Sequence, residues 1–585
     1  MPSRPNPPMP FNPLTALHRA AAIASVAVAL SVACGGPAAI EGPPPEGAPM
    51  SPPVVLTAAH VVTLAGPASP QAPGGAATDA VVVSAGRIVF VGPRDAARAA
   101  AGPEAVEHDY PGATIVPGLV DAHAHLTGLG KALMEVDLNG AHSVDEAVER
   151  VRLAAANGPR EGFVEGRGWD QNDWPGQAFP EHGPLSAAFP ERPVALRRVD
   201  GHALWVNAAA LRLAGIDAKT PDPAGGKLLR DASGAPTGVL VDAAMNLVTS
   251  RMPEPTPGQI RAWLEASLGA CHRVGLTGVH DAGASSAQLG VMEAMAARGE
   301  LPLRVHVMLD ADDPANAARL AAGPKAGDFV SVRGVKIFAD GALGSRGAWL
   351  SAPYSDAPET SGIPIVHGEA LRAQVRRAAD AGFQVSVHAI GDAAAHDVVE
   401  AYAAVLTPGN DRRFRVEHAQ VVRPEDRAAM ARLGIIASMQ PTHATSDMDW
   451  AERRLGPERV RWAYAWQSMR RDGVLLALGS DFPVERPDAL PGLRAAVTRA
   501  DARGAPAGGW YPEERLTPEQ ALRGFTADAA FAGFEEARRG RIAPGFDADL
   551  TILSADPLTL SAAGWDTLAI VATYVAGQPV YRAAR

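Results

Sequence analysis

Pro117-Gly-Leu-Val-Asp-Ala-His-Ala-His125 is the stretch that decides the fold. It begins as a short apolar run, typical of a buried strand, and ends in His123 and His125. Alternate residues of a strand point to the same face, so both imidazoles project from one side of the strand end, a geometry that suits a metal ion. A His-x-His pair alone is a weak signal, because a buried histidine is more often structural than a ligand.

Beyond Pro117, short apolar runs alternate with alanine-rich helical stretches, a pattern typical of βα units and a parallel sheet. About eight such units closing on themselves predict an α/β fold of the (β/α)₈ TIM-barrel type, with its chemistry at the carboxyl ends of the strands. The predicted barrel strands are 119–124, 194–199, 278–281, 303–309, 332–339, 384–388, 414–418, 435–439 and 474–479, and the predicted helices include 144–156, 257–274, 369–381, 424–433 and 518–531.

On either side of this region the chain is rich in β-type residues. Before it, the runs 54–64, 80–91 and 106–116 are broken by Gly and Pro and predict a small sheet. After it, the runs 548–553, 567–575 and 578–581 return to the same character. We expect these last runs to complete the sheet begun before the barrel.

The N-terminus predicts export. Residues 1–34 resemble a lipoprotein-type signal peptide, because an apolar stretch (20–33) too short to span a bilayer ends at Cys34. Ser31 departs from the usual lipobox, so ordinary cleavage and an uncleaved anchor remain alternatives. Residues 35–53 predict a disordered Pro/Gly-rich tether. The expectation is a bacterial protein that is either a membrane-anchored lipoprotein or periplasmic, with Cys271 left unpaired and membrane contact only through the lipid.

Composition narrows the class of protein. The chain has 585 residues, 47% hydrophobic and 20% charged, which are globular values. A net charge of −11 without a long basic run offers nothing to a nucleic-acid backbone, so no nucleic-acid partner is expected. The expected partner is a small-molecule substrate. The oligomeric state is left open, with a homodimer as one form.

Further chemistry-bearing residues follow the later apolar runs. His388 and His418 end the runs 384–388 and 414–418, and Asp481 follows the run 474–480. Imidazole and carboxylate together suit zinc, with manganese, iron or cobalt as alternatives. Lys336 lies inside an apolar run, where a lone cation is unfavourable unless its charge is removed or paired. For each residue the alternative is a purely structural hydrogen bond.

Many blocks, taken in order, resemble the YtcJ-like branch (amidohydrolase family 3) of the amidohydrolase superfamily, which includes N-substituted formamide deformylases. The resemblance runs from about Val54 to Tyr581 and is specific because of the number of blocks. They are Pro117 to His125; Arg198-Val-Asp-Gly-His-Ala-Leu-Trp-Val-Asn207; Gly275-Leu-Thr-Gly-Val-His-Asp281; Val335-Lys-Ile-Phe-Ala-Asp-Gly341; Val387-His-Ala-Ile-Gly-Asp392; Val416-Glu-His-Ala-Gln420; Ser438-Met-Gln-Pro-Thr-His-Ala-Thr-Ser-Asp447; Gly479-Ser-Asp-Phe-Pro-Val484; and Gly545-Phe-Asp-Ala-Asp-Leu550.

The resemblance implies a metal-dependent barrel over 117–539, with an insertion near 200–250, flanked by a β-sandwich formed by 54–116 and 540–585. It further implies that His123, His125 and Asp481 hold one divalent metal, and that His388 and His418 hold a second. Lys336, N-carboxylated on its amine, would be shared between them. A single-metal site is the alternative. Asp481 would also be the catalytic acid-base group.

Three further sets complete the predicted site. Arg198, Asp200, His202, Trp205 and Asn207 precede a Gly/Pro-rich segment (221–238) and are expected to contact substrate, with packing of the insertion as the alternative. The same role is expected of Gln440, His443 and Asp447. His280 and Asp281, at another strand end, are expected to support the site, with a direct role as the alternative, and Asp340 near Lys336 is expected to orient it.

The resulting functional expectation is hydrolysis of a non-peptide carbon–nitrogen bond, as in a small amide or N-substituted formamide, by metal-activated water. The alternative function is a hydrolase with the same metal site that cleaves another type of bond, in a cyclic amide, an N-acyl amino acid, an ester or a lactone. A rival of another class is a metal-containing binding lipoprotein without turnover.

Overall fold

The computed structural model describes residues 52–66, 78–157 and 162–584. The predicted signal peptide, Cys34 and the predicted tether up to residue 51 lie outside this part of the chain. Within the described residues, no helix combines the length and the apolar character needed to cross a membrane.

The central sheet consists of eight parallel strands and confirms the predicted barrel. The predicted strand 119–124 agrees with the observed one in both bounds, and the others agree to within a few residues. In barrel order, numbered along the whole chain, the strands are β5 (Leu119–Ala124), β12 (Leu276–Ala284), β13 (Arg304–Asp310), β14 (Val330–Phe338), β15 (Gln384–Ala389), β16 (Arg415–His418), β17 (Ile436–Met439) and β18 (Leu476–Leu478).

The barrel closes between its first and last strands through hydrogen bonds just beyond β18. The Asp481 amide donates to the His123 carbonyl at 2.8 Å, and the His125 amide donates to the Phe482 carbonyl at 2.9 Å. The buried carboxylate of Asp121 reinforces the seam by accepting from the Ser480 hydroxyl at 2.6 Å. Closure therefore brings the His-x-His segment beside the loop that carries Asp481.

A six-stranded sheet is inserted between β5 and β12 and corrects one sequence-based expectation. The run 194–199 was expected in the barrel, but β8 pairs with β7 and β9 in the inserted sheet. A short apolar run has the same local pattern in either sheet, and only its pairing partner distinguishes them. The six strands are β6 (Val136–Asp137), β7 (Val164–Trp169), β8 (Val194–Arg198), β9 (Ala203–Val206), β10 (Gly226–Arg230) and β11 (Pro236–Asp242).

The two ends of the described chain share a seven-stranded sheet with its own apolar core. One edge of the sheet also contacts the segment 546–548: the Ile88 amide donates to the Phe546 carbonyl at 2.9 Å, and the Ala548 amide donates to the Gly86 carbonyl at 2.9 Å. Where the sequence predicted a sandwich, the described residues form a single seven-stranded sheet. The strands are β1 (Val54–Val61), β2 (Ala80–Ser84), β3 (Arg87–Gly92), β4 (Val106–Pro117), β19 (Leu550–Leu553), β20 (Ile570–Val575) and β21 (Gln578–Arg582).

Helices connect and cover the barrel strands. Several begin at a capping box, as where Thr256 and Gln259 satisfy the first amides of the helix that precedes β12. The helices are α1 (Arg94–Ala101), α2 (Leu126–Met134), α3 (Val144–Asn157), α4 (Gly183–Ala188), α5 (Ala208–Ala214), α6 (Asn246–Thr249), α7 (Pro257–Arg273), α8 (Ser286–Ala297), α9 (Ala317–Ala322), α10 (Gly368–Asp380), α11 (Asp392–Ala403), α12 (Pro424–Leu433), α13 (Pro441–Arg459), α14 (Trp466–Asp472), α15 (Ala489–Thr498), α16 (Pro518–Gly524) and α17 (Ala527–Ala532).

Candidate metal centre

The carboxyl ends of the barrel strands bring the predicted ligands together. Donor atoms of His123, His418 and Asp481 all lie within 4.8 Å of one another. The His388 ring centroid is 4.4 Å from that of His418, and His125 Nε2 is 3.2 Å from Asp481 Oδ1. Four strands that are distant in sequence therefore supply one compact group of imidazoles and a carboxylate.

Two of these residues have strained backbone. His418 has a φ of 70° and Asp481 a φ of 60°, values in the left-handed region that few residues other than glycine adopt. Such strain persists only where the surroundings hold it, and it often accompanies function. At both positions it turns the side chain from the strand end into the site.

A buried ion pair orients His123. The imidazole Nδ1 lies 2.5 Å from Glu417 Oε2, and Arg415 Nε lies 2.6 Å from Glu417 Oε1. Because Nδ1 carries the hydrogen in this contact, Nε2 is free to act as a ligand. Arg415 and Glu417 were missed by the sequence analysis, although charged residues alternating along an apolar strand were a usable signal.

Lys336 is buried next to the same imidazole. Its Nζ lies 3.4 Å from His123 Nε2, and no carboxylate of the described residues lies within 4.0 Å of it. Burial lowers the pKa of this amine from its ordinary value. No described carboxylate is in contact with this buried amine, and Glu417 and Asp481 act on it only at longer range.

The residues present fit a divalent metal ion. Asp481 Oδ1 is buried with ring nitrogens of His125 and His123 at 3.2 and 3.6 Å, and Nε2 of His443 nearby is buried without a hydrogen-bond partner among the described residues. Burial alone would raise the pKa of Asp481, but the imidazoles of His125 and His123 hold it well below its usual range. An ionised carboxylate among imidazoles is a donor set that suits zinc and related ions.

His202 and Asp242 form a pair from the inserted sheet. His202 Nδ1 lies 2.7 Å from Asp242 Oδ1, and the His202 ring centroid is 5.2 Å from that of His388. Burial alone would lower the pKa of His202, but the hydrogen bond and charge of Asp242 raise it. Asp242 was not identified from the sequence, because no local motif links it to His202.

Arg198 is the centre of a buried polar cluster on the same side. It donates to the carboxylates of Asp170 and Asp200, and its Nε donates to Gln171 Oε1 at 2.8 Å. Asp200 in turn accepts the His202 amide at 3.0 Å. The cluster therefore fixes the turn that carries His202, and Arg198 and Asp200 also line the cavity above the metal ligands.

The three residues predicted on the segment after β17 differ in position. Gln440 Oε1 lies 2.9 Å from His418 Nδ1, so it orients this ligand. His443 stacks on His418 with ring centroids 6.1 Å apart and lines the cavity. Asp447 also lines the cavity and accepts the Tyr464 hydroxyl, and burial raises its pKa to about 7.

Trp205 and Asn207 correct the expectation of substrate contact. Trp205 is fully buried against Trp169 and Trp174, with ring centroids 6.2 and 6.1 Å away. Asn207 caps α5 by accepting the Ala210 amide at 3.0 Å. Both residues stabilise the inserted sheet rather than line the cavity, and their positions in a motif could not distinguish these roles.

The residues expected to support the site lie at different distances from the proposed metal ligands. Asp281 accepts the Leu126 amide at 2.7 Å, directly after His125. Asp340 accepts the amides of Ile390 and Gly391 at 3.0 and 2.8 Å, just after His388. His280 lies further from the ligands, where its Nδ1 is 2.8 Å from Arg415 Nη1.

A cavity of about 1060 Å³ lies above the metal ligands, between the barrel and the inserted sheet. His388, His418 and Asp481 form part of its floor. Leu129, Leu133 and Val274 provide apolar surface, and Leu133 is 53% exposed. The volume is sufficient for a small-molecule substrate.

The geometry is that of a candidate metal centre, and comparison with known proteins supports a metal-dependent hydrolase. The amidohydrolase family profile matches residues 107–581, so the chain belongs to the amidohydrolase family. It is 36% identical to YtcJ of Bacillus subtilis (strain 168), covering 86% of this chain and 96% of that protein. It is 30% identical to an N-substituted formamide deformylase of Arthrobacter pascens, covering 85% of this chain and 94% of that protein.

A solved structure is similar over nearly its whole length. An uncharacterized metal-dependent hydrolase from Pyrococcus horikoshii OT3 superposes with a TM-score of 0.70 at 26% identity, covering 87% of this chain and 99% of that one. Family membership and this neighbour support hydrolase activity with a divalent metal.

Proposed function

We propose that the protein hydrolyses the carbon–nitrogen bond of a small amide, with an N-substituted formamide as the leading substrate type. The observation that carries the proposal is the group formed by His123, His418 and Asp481, because imidazole and ionised carboxylate converge at the floor of a cavity. The resemblance to a formamide deformylase supports this choice of bond.

Different residues are proposed to bind the metal and to transfer the proton. His123, His125, His388, His418, Asp481 and Lys336, the last as a carbamate, would hold one or two divalent ions, with zinc expected. A bound ion supplies water that is deprotonated near neutral pH. Asp481 accepts a proton from the attacking water and returns it to the departing nitrogen. The carbonyl carbon gains a bond to oxygen and loses its bond to nitrogen, which releases a carboxylate and an amine.

His202 is placed to assist the carbonyl oxygen. Its Nδ1 is engaged by Asp242, so Nε2 is available to donate a hydrogen bond towards the cavity. The raised pKa of His202 favours the protonated, donating form. A donor aimed at developing negative charge stabilises the transition state of acyl transfer.

The test pairs metal content with turnover. We would measure bound metal and the hydrolysis of N-benzylformamide and other amides for wild type and for Lys336→Ala. The control is Lys325→Ala, because the Lys325 side chain is 73% exposed. We expect metal and activity in wild type and the control, and loss of both in Lys336→Ala. Metal-replete wild type that hydrolyses no amide, ester or lactone would instead favour a binding protein, and an unaffected Lys336→Ala would remove Lys336 from the site.

A further inference from the structure

Two arginines lie side by side on the inserted sheet without a carboxylate partner. Arg167 of β7 and Arg197 of β8 are directly paired in the strand register, so both side chains are on the same face. Among the described residues, no carboxylate oxygen lies within 4.0 Å of either guanidinium. Like charges opposite one another destabilise a sheet unless an anion offsets them.

The nearby carboxylates are already engaged. Asp170 and Asp200 accept from Arg198, while Glu135 and Glu165 pair with Lys131 at 3.1 and 2.5 Å. Burial first, and then the charge of Arg197, lower the pKa of Arg167 to about 10. The guanidinium of Arg167 is therefore a cation without a carboxylate of the described residues in direct contact, and Asp481, Asp200 and Glu135 act on it only at longer range.

Arg167 is held rigidly beside the metal centre. Its Nη2 donates to the Val199 carbonyl at 2.7 Å and its Nε to the Pro483 carbonyl at 3.3 Å. These contacts place it between the turn that leads to His202 and the loop that follows Asp481. Arg167 lines the cavity, and its Nη1 donates to no described residue. A preorganised arginine with a free donor is suited to a carboxylate.

We propose that Arg167 binds a carboxylate carried by the substrate, so that the hydrolysed amide is that of an N-formyl or other N-acyl amino acid. This inference rests on the proposed amide hydrolysis and narrows its substrate class. Arg197 reinforces the positive field from the neighbouring strand. The amide carbonyl then lies towards His202 and the metal ligands, while the carboxylate lies against Arg167.

The test uses two substrates that differ only in the carboxylate, N-formyl-phenylalanine and N-phenethylformamide. We expect wild type to prefer N-formyl-phenylalanine. Arg167→Gln should lower kcat/KM for that substrate about 10- to 100-fold, mainly through KM, because a charged hydrogen bond is lost. The same variant should lower kcat/KM for N-phenethylformamide by a clearly smaller factor, because that substrate has no carboxylate contact to lose. Arg167→Lys should keep part of the preference, and Arg453→Gln, an exposed arginine that also lines the cavity, should keep all of it.

Two outcomes would overturn the inference while leaving amide hydrolysis intact. The first is that wild type prefers N-phenethylformamide. The second is that Arg167→Gln lowers kcat/KM equally for both substrates, which would show that Arg167 only holds two loops in position. A binding measurement separates the two proposals without turnover. Phenylpropanoate should bind to metal-replete wild type at least tenfold more tightly than to metal-replete Arg167→Gln even if no formamide is hydrolysed, because any contact with the metal is the same in both proteins. Equal affinities would reject the carboxylate subsite.

Discussion

Arg415 and Glu417 place opposite charges inside the barrel wall, two residues apart on β16. Neither side chain is exposed to solvent, and Arg415 Nη2 also donates to the Ala122 carbonyl at 2.5 Å and the Ser438 hydroxyl at 2.8 Å. Removing one member of such a pair leaves a buried charge without compensation, which is costly. The pair therefore links the position of His123 to the packing of three strands.

We expect Glu417→Gln to weaken metal binding. The substitution removes the anion at His123 Nδ1, and loss of such a partner typically lowers metal affinity 10- to 100-fold. The measurement is a competition titration against a chelator. Glu536→Gln, which removes one of the two carboxylate partners of Arg413, serves as the control and should leave affinity unchanged.

A loss of metal affinity caused by misplacing His123 must be distinguished from one caused by a loss of protein stability. The double variant Arg415→Met/Glu417→Leu removes both charges, so it should recover stability relative to Glu417→Gln without recovering metal affinity. Wild-type affinity in either variant would show that Glu417 does not orient His123.

At the scale of elements, α2 connects the first metal ligands to the helical layer. It begins directly after His125, and the Leu126 carbonyl accepts the Ser267 hydroxyl of α7 at 2.6 Å. The two helices approach so closely that a Cβ at Gly130 would lie 1.8 Å from the Trp263 carbonyl oxygen. A backbone atom cannot move aside by changing rotamer, so α2 itself would have to shift.

Gly130→Ala should therefore lower both stability and metal affinity, with an overpacking cost of about 1–3 kcal/mol. Gly290→Ala in α8 is the matched control, because a Cβ there meets no atom within 4 Å. The control should be neutral or stabilising by up to about 1 kcal/mol, since alanine favours a helix over glycine. Urea denaturation and metal titration measure the two effects. Similar behaviour of the two variants would contradict the proposed contact.

At the scale of the whole molecule, the terminal sheet and the barrel are joined by direct hydrogen bonds. The Gly118 amide donates to the Asp549 carbonyl at 2.8 Å, and the Thr573 hydroxyl donates to the His272 carbonyl at 2.8 Å. These contacts connect α7 and the residue before β5 to the terminal sheet, and the partners of the α7 contact are 301 positions apart in sequence. We infer that the sheet and the barrel unfold together.

Cys271 offers a probe of that cooperativity. It is fully buried in α7, and burial raises the pKa of its thiol, so the reactive thiolate is suppressed in the folded protein. In a Cys34→Ala background, alkylation should be negligible under native conditions and should appear in the same urea transition as the loss of circular dichroism. An added thiol at the exposed position of Ala100→Cys should react at once. Labelling of Cys271 well before the transition would show independent unfolding of α7.

Local pattern in the sequence determined most of the barrel. The run 119–124 was located correctly, because alternation and an apolar run ending in histidines are properties of neighbouring residues. The proposed ligands follow from the same rule, since the carboxyl ends of parallel strands meet at one face. For that reason His123, His388, His418 and Asp481 could be named together before any distance was known.

Only the tertiary structure decided which partners these elements take. β8 belongs to the inserted sheet, Trp205 packs into an aromatic core, and Glu417 reaches His123 across 294 positions of sequence. Asp242 meets His202, and Arg167 is left without a carboxylate, for the same reason. Pairing, charge compensation and burial depend on contacts between distant segments, and a one-dimensional pattern contains no distances between them.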